Sequence, residues 1–524
     1  MLERTKKQLP LGIQTFAKIR DPKMNYAYVD KTDIACELAH KGGYRFLSRP
    51  RRFGKSLFLD TLSELFKGSK EMFEGLYVYD KWDWDTKYPV IKLSLGGCNV
   101  SSKEELDEKL REIVLENGSE LNVQLTTGSK RSSLMFRDLI RRTHAKYNQS
   151  VVILIDEYDK PLLDNIGCDN LEQVQEALQS FYSEIKDNDA YVKFGFITGI
   201  SKFSQLSFFS HLNNLTDITL DPSYATVTGY TQDDLEETFD EFLDGVDLDE
   251  MKRWYNGYNF LGTPVYNPFD VLTFFDQGNV YKNYWWNTGK QSFLTRMLKN
   301  KNYHLPNLEN IVVGEEILDA FNINEINLVS LLWQSGYLTF DTVIQNQLSK
   351  KFSYKMKVPN LEVQASLNQL FCDYLTNGVS QDYSGRDNML MALYEHKFDL
   401  VEKFVFTLFS SIVYDNHTGS NLCDYEGYYA SVIFAYTSAL GVPVVAEDHS
   451  NTGRADMTVF LPNSIIIIEF KVDLTSEAAI EQIKTKKYCD KYAQDGRDIY
   501  MIGMNFDSKQ KNIVSFDWQP FHTN

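Results

Sequence analysis

Three groups of residues in this chain of 524 have types and spacing suited to chemistry. The first is Ser48-Arg-Pro-Arg-Arg-Phe-Gly-Lys-Ser56, which follows a strand-like run and opens the helical run Leu57–Phe66. A triphosphate needs backbone N–H groups at a helix N-terminus, a lysine for its terminal oxygens and a hydroxyl for magnesium. Gly54, Lys55 and Ser56 supply these in order, and with Arg52 they are the candidate nucleotide contacts. Arg49 stands where the usual pattern has its first glycine, so its side chain either crowds the loop or adds positive charge beside Arg51 and Arg52. The second group, Val151-Val-Ile-Leu-Ile-Asp-Glu157, is an apolar strand ending in two carboxylates. A carboxylate at the end of a buried strand is costly unless a cation or water meets it. With a phosphate loop upstream, Asp156 is expected to join Ser56 in holding Mg2+, and Glu157 to polarise the attacking water. Thr198 and Ser201, at the end of the run Phe194-Gly-Phe-Ile, either sense the γ-phosphate or cap the strand end.

The third group lies in Gly453–Lys471, which reads as two strands joined by a tight turn at Leu461-Pro-Asn-Ser464. Symmetry about Pro462 and Asn463 sets Asp456 opposite Glu469, with Cβ atoms roughly 4.5–5.5 Å apart. Lys471, two residues beyond Glu469, falls on the same face. Two carboxylates that close repel, so the pair requires a shared proton, a cation or a metal. A divalent metal with an adjacent ammonium is what phosphodiester hydrolysis needs, which makes Asp456, Glu469 and Lys471 candidate catalytic residues. Glu426, in a helix-like segment from Asp424, is a candidate third metal ligand beside Asp456 and Glu469. Ala478–Tyr492 reads as an amphipathic helix in which Gln482 and Lys486, with Lys484, Lys487 and Lys491, form a basic patch suited to nucleic-acid phosphates. A solvated lysine face accounts for the same pattern equally well.

The elements that must position these groups follow from pattern. Tyr44–Ser48, Val90–Leu95, Val151–Ile155 and Lys193–Thr198 are short runs of Val, Ile and Phe separated by tens of residues, which predicts crossovers and a mainly parallel sheet. The aromatic-dense segment Asp221–Phe293 opens with a capping-box start at Thr231-Gln-Asp-Asp234. Residues from about 295 to 400 read as mostly helical, and from 401 the pattern is helix, strand hairpin, strand and helix. The fold class is therefore α/β, with a P-loop domain at 1–222, an aromatic and helical middle at 223–400, and a smaller α/β domain at 401–524. A hydrophobic fraction of 43% supports a large core, and a formal charge of −18 argues against coating DNA or anionic membrane through bulk charge. Six scattered cysteines without a CxxC pair argue against structural zinc and disulfides. The apolar stretch Ala430–Ala446 falls short of the roughly 20 residues that span a bilayer and reads as a buried helix followed by a strand. With no secretory signal at Met1–Gly12, a cytoplasmic protein without a membrane partner is expected.

The strings YAYVDKT (Tyr26–Thr32), SRPRRFGKS (Ser48–Ser56), LIDEYDKPL (Leu154–Leu162), WYNGYNF (Trp254–Phe260), VYNP (Val265–Pro268), GYYAS (Gly427–Ser431) and GRAD…IEFK together resemble the bacterial AAA-ATPase-like proteins. Those join a P-loop ATPase to a C-terminal restriction-endonuclease-like domain of the PD-(D/E)XK nuclease superfamily. The resemblance implies that Arg49 is normal in this loop, that Asp156 and Glu157 are the Walker B acids, and that Asp456, Glu469 and Lys471 match the nuclease motif, with Ala455 in place of the signature's proline. It implies ATP and Mg2+ as cofactors and nucleic acid, DNA favoured, as partner; a homo-oligomer is compatible with it. The leading function is an ATP-controlled, Mg2+-dependent DNA nuclease, in defence against mobile elements. The alternatives are a nucleotide switch whose C-terminal domain binds nucleic acid without cutting, and a non-enzymatic scaffold. The aromatic segment Trp254–Trp286 either transmits nucleotide state or forms the core of a helical subdomain.

Overall fold

Strands buried on both faces need near-continuous apolar runs, and four such runs precede residue 200. The computed structural model describes residues 6–125, 131–203, 215–285, 311–318, 327–375, 383–411 and 426–522. In it these runs form β1 (Gly43–Ser48), β2 (Val90–Ser94), β3 (Val151–Asp156) and β4 (Val192–Gly199). With β5 (Leu215–Asp217) they make a parallel sheet in the order β2-β3-β4-β1-β5. β4 thus separates β3 from β1, and the C-terminal ends of all three open on the same edge, where ligands of open α/β sheets bind. The helix Lys55–Lys67 shares a core with the strands through Phe58, Leu62 and Phe66 with Leu47, Leu154 and Phe196.

The described residues fall into two compact units: those of Met1–Met297 with Val312–Val363, and those of Leu298–Ile311 with Gln364–Asn524. In the first, the helices Gln232–Thr238, Leu248–Tyr255 and Pro268–Asp276 gather Phe239, Tyr255, Tyr266, Phe274 and Tyr284 into a core of their own. The first of them starts on a capping box: Thr231 Oγ1 accepts from Asp234 N–H at 3.0 Å and Asp234 Oδ2 from Thr231 N–H at 2.8 Å. Trp286 and Phe293 lie outside the described residues. Gly257 takes φ +101°, and a Cβ there would stand 2.1 Å from the Pro359 carbonyl oxygen, so only glycine lets these segments meet.

The stretch read as mostly helical also contains a small antiparallel sheet. β6 (Val312–Gly314), β7 (Thr339–Gln345) and β8 (Phe352–Lys357) pair in the order β6-β8-β7. It escaped the sequence reading because β7 is exposed on both faces from Asp341 onward and is bulged between Phe340 and Thr342. Neither feature leaves a two-residue hydrophobic period.

The second unit is a mixed sheet in the order β13-β12-β11-β10-β9, where β9 is Val444–Ser450, β10 Gly453–Phe460, β11 Ser464–Val472, β12 Asp498–Asp507 and β13 Asn512–Phe521. Only β11 and β12 are parallel. The isoleucines of β11 divide between two cores. Ile466 and Ile468 join the helices Phe398–Ser411 and Glu426–Ser438, whereas Ile465 and Ile467 join the helix Ser476–Thr485. Ala430–Ala446 is the end of one helix and the start of β9, and among the described residues no helix is long and apolar enough to cross a membrane.

One buried pair loads the first unit with strain. Asp270 and Glu362 are both fully excluded from water. Burial, then the charge of Glu362, holds the Asp270 carboxyl far above its ordinary range, so it keeps its proton. Burial also raises Glu362, to about 7, although the N–H groups of Tyr284 and Trp285 bond its Oε1. An acid raised in the folded state stabilises below its unfolded pKa and loses that stability as pH rises towards the folded value. Asp270→Asn should therefore raise the thermal midpoint at pH 8, by more than about 1 kcal/mol of stability, with a gain that shrinks towards pH 5. Melting curves across that range check it; a gain independent of pH contradicts the assignment.

Candidate functional sites: a phosphate loop and a carboxylate pair

The loop between β1 and the helix Lys55–Lys67 carries left-handed residues at Arg52 (φ +68°) and Gly54 (φ +86°), the kind of backbone from which anion-binding concavities are built. Lys55 is buried, and its Nζ donates to the carbonyls of Arg49 at 2.9 Å and Pro50 at 2.8 Å. Burial draws the Lys55 ammonium down, against the pull of Asp156, Glu157 and Asp159. Both acceptors belong to its own loop.

Arg49 does neither of the two things its sequence position allowed. It is 1% exposed and turned into the fold. It donates to the carbonyls of Ser48 at 2.9 Å, Thr219 at 2.7 Å and Tyr224 at 3.1 Å, and lies 3.8 Å over the Phe260 ring. Burial pulls its guanidinium down to about 9. Phe53, fully buried, meets Tyr258 and Phe260 edge-on at 4.7 and 5.9 Å, and Arg52 covers Phe269 at 4.8 Å. The WYNGYNF string, read in the sequence as part of the family resemblance and of an aromatic segment, packs against the phosphate loop through Tyr258 and Phe260. Arg52, Gly54, Lys55, Ser56 and Glu157 open onto one cavity of about 380 Å³, whose far wall includes Gln14, Tyr28 and Lys31.

At the end of β3, buried Asp156 accepts from Thr198 Oγ1 at 3.2 Å. Glu157 adopts φ +52° and packs so closely that a Cβ on Gly96 would lie 2.6 Å from its Oε2. Asp159 was missed, although it stands in the same Asp-Glu-Tyr-Asp string. It is 1% exposed, accepts from the N–H groups of Ile200 at 2.9 Å and Ser201 at 2.7 Å, and is raised by burial to about 6. Ser201 is thus held through its backbone, and Thr198 through Asp156.

In the second unit Met457, Thr458, Val459 and Phe460 pair with Ile468, Ile467, Ile466 and Ile465, a register that sets Asp456 opposite Glu469. Asp456 N–H approaches Glu469 Oε2 at 3.4 Å, and Phe470 N–H donates to Asp456 Oδ2 at 2.8 Å. Glu469 is 1% exposed; burial, then Asp456, push its carboxyl up to about 8. Lys471 Nζ lies 3.4 Å from Glu469 Oε1 and 3.3 Å from Glu426 Oε1, and donates to the Phe470 carbonyl at 2.7 Å. Burial alone would lower this ammonium, but Glu469, Glu426 and Asp456 together raise it.

Two expectations shift. Glu426 sits on Lys471, and among the described residues no group of three or more His, Cys, Asp or Glu converges as metal ligands. The basic helix is also shorter: it ends at Thr485, Lys486 caps it, and Lys487 turns out at φ +53°. Gln482 points inward and donates to Glu469 Oε1, Lys484 pairs with Glu481 at 3.2 Å and Lys491 pairs with Asp448, so only Lys486 and Lys487 remain of the patch. Two facing carboxylates, both raised by burial and Glu469 further by the charge of Asp456, suit a divalent cation.

A phosphate loop ahead of paired acids on a parallel sheet, joined to a mixed sheet carrying a carboxylate pair and lysine, defines a P-loop protein with a nuclease-like domain. A family model described as "Predicted AAA-ATPase" matches residues 10–209, and one described as "PD-(D/E)XK nuclease superfamily" matches residues 424–516. A protein of Azotobacter chroococcum mcd 1, named "Uncharacterized protein in vnfD 5'region", is 41% identical over 518 residues, covering 98% of this chain and 99% of the relative. No solved structure matches. The chain belongs to the AAA-ATPase-like family with a C-terminal PD-(D/E)XK domain, and the two domains suggest ATPase and nuclease activity.

The contact at Gly96 gives a test of Glu157. Gly96→Ala should displace the Glu157 carboxylate and lower ATP turnover by about a hundredfold, the lower end of general-base effects. ATP affinity should stay within about twofold, because the loop itself is untouched. Steady-state hydrolysis and nucleotide titration separate the two.

Proposed function

We propose that this chain hydrolyses ATP in its first unit and, in its second, is a Mg2+-dependent nuclease acting on DNA. One observation carries the nuclease reading: Asp456 faces Glu469 across β10 and β11 while Lys471 stands beside Glu469. Asp456 and Glu469 would hold the divalent ion there, as Ser56 and Asp156 would in the nucleotide site. Such an ion lowers the pKa of its water and stabilises charge developing on phosphorus. Lys471, kept charged by its carboxylates, faces the developing anion, and Gln482 fixes the orientation of Glu469. In the first unit Lys55 leaves its loop carbonyls for the β- and γ-phosphates, and Glu157 orients the attacking water. A cytoplasmic setting fits the buried cysteines Cys36, Cys98 and Cys489, which are free thiols, and an ATP-governed nuclease there suits defence against mobile elements.

The test uses plasmid, linear duplex, single-stranded DNA and RNA, with Mg2+ or EDTA, and with or without ATP. DNA should be cut in Mg2+ and intact in EDTA, and Asp456→Asn should cut at least a hundredfold more slowly. Lys55→Ala should lose ATP binding, whereas Glu157→Gln should bind ATP without turnover. Protein that binds DNA and hydrolyses ATP but never cuts would instead be the nucleotide switch.

A further inference from the structure

The ribbon of β7 and β8 is difficult to explain as part of a globular core. From Asp341 to Phe352 every residue is exposed, including Val343 and Ile344 at nearly half and Leu348 at 96%. β6 supports only Ser353–Lys355, so the outer ribbon is two-stranded and buries almost nothing, a state of marginal stability by itself. Its tip is nevertheless built: Asn346 Oδ1 accepts from the N–H groups of Leu348 and Ser349 at 2.9 and 3.0 Å, and Asn346 and Lys351 close the turn through their backbones. Its charge opposes that of the chain. Between Thr339 and Lys357 stand Lys350, Lys351, Lys355 and Lys357 against Asp341 alone, in a protein of formal charge −18. Asp341 is taken by Lys357 at 3.1 Å and Lys355 at 3.8 Å, leaving Lys350 and Lys351 at the tip without a carboxylate among the described residues. The root is fixed to the nucleotide site: Thr339 Oγ1 accepts from Asn259 N–H at 2.8 Å and donates to the Asn259 carbonyl at 3.1 Å, between the Tyr258 and Phe260 rings that hold Phe53.

We infer that this ribbon is a duplex-DNA contact of the ATPase unit, with Lys350 and Lys351 on phosphates and Leu348 inserted into the groove. A two-stranded ribbon fits the major groove, about 12 Å wide, where an apolar side chain such as Leu348 can meet thymine methyl groups. The proposal rests on the DNA reading above but places a second grip in the ATPase unit, away from the residues that would cut.

Fluorescence anisotropy of the full chain with a labelled duplex in EDTA, where cutting is blocked, tests it across a salt series. The pair Lys350→Glu and Lys351→Glu should weaken duplex binding at least tenfold at 0.1 M salt. The log–log salt slope should become shallower by about 1.8, since each phosphate contact contributes about 0.9. Leu348→Ala should weaken binding with the slope unchanged, and unaltered melting temperatures show that each variant is folded. Wild-type affinity and slope in the double lysine variant overturn the proposal while leaving the nuclease reading standing. So does a Leu348→Asp variant that changes the mass in solution but not duplex binding, because the ribbon is then a contact between copies of this chain. A loss confined to single-stranded DNA overturns the groove contact. If wild type neither binds nor cuts any nucleic acid, the nuclease reading and this proposal fall together.

Discussion

A guanidinium withdrawn from water must be met by acceptors or an aromatic face, and Arg49 imposes that condition on the first unit, with only its Nε left without an acceptor among the described residues. Its three carbonyl partners lie at the end of β1, just after β5 and in the turn at Tyr224, and its fourth neighbour is the ring of Phe260. One side chain thus fixes where the sheet ends and where the aromatic segment begins. The phosphate loop between them then has little freedom. Phe53 is clamped by two rings, and Lys55 is buried against the loop's own carbonyls. A loop that must present N–H groups to phosphate is useful only if it does not collapse when phosphate leaves, and this packing supplies the rigidity.

Both units meet the same electrostatic problem, carboxylates buried beside a lysine, with opposite results. In the first, burial dominates Lys55 and lowers it, because Asp156, Glu157 and Asp159 act only as counterweights. In the second, three carboxylates outweigh burial and Lys471 is raised. Lys55 Nζ is held by two carbonyls, whereas Lys471 Nζ stands 3.4 Å from Glu469 Oε1 and 3.3 Å from Glu426 Oε1, so direct carboxylate contact offsets burial only in the second unit.

Much of this was legible in sequence because it depended on local periods. The parallel strands announced themselves as apolar runs, and symmetry about Pro462 and Asn463 was enough to place Asp456 against Glu469. What the sequence could not supply were contacts between distant segments. Arg49 looked like a loop residue because nothing in its neighbourhood says that carbonyls 170 and 175 positions away will receive it. Asp159 looked like one more acid in an acidic string, since its N–H partners come from the end of β4. Gln482 and Lys486 read as one patch, but an inward turn of the first and a helix end at the second set them to different work. The ribbon of β7 and β8 was invisible for the opposite reason: a strand exposed on both faces has no hydrophobic period at all.

Backbone strain marks where the ATPase unit is organised for function. Glu157 holds φ +52°, a conformation that costs a side-chain-bearing residue on the order of 1 kcal/mol and persists only when its surroundings overdetermine it. Here they do. On one side Asp156 is bonded by Thr198, and on the other Tyr158 is pinned by the Thr198 carbonyl through its N–H and by the Ser201 carbonyl through its hydroxyl. Asp159 then bonds the two N–H groups that follow β4. Every residue flanking Glu157 is thus tied to β4, the strand lying between the phosphate loop and the acids. Movement at the end of β4 is thereby coupled to the position of the Glu157 carboxylate, which on one side packs against Gly96 and on the other faces the cavity of the phosphate loop.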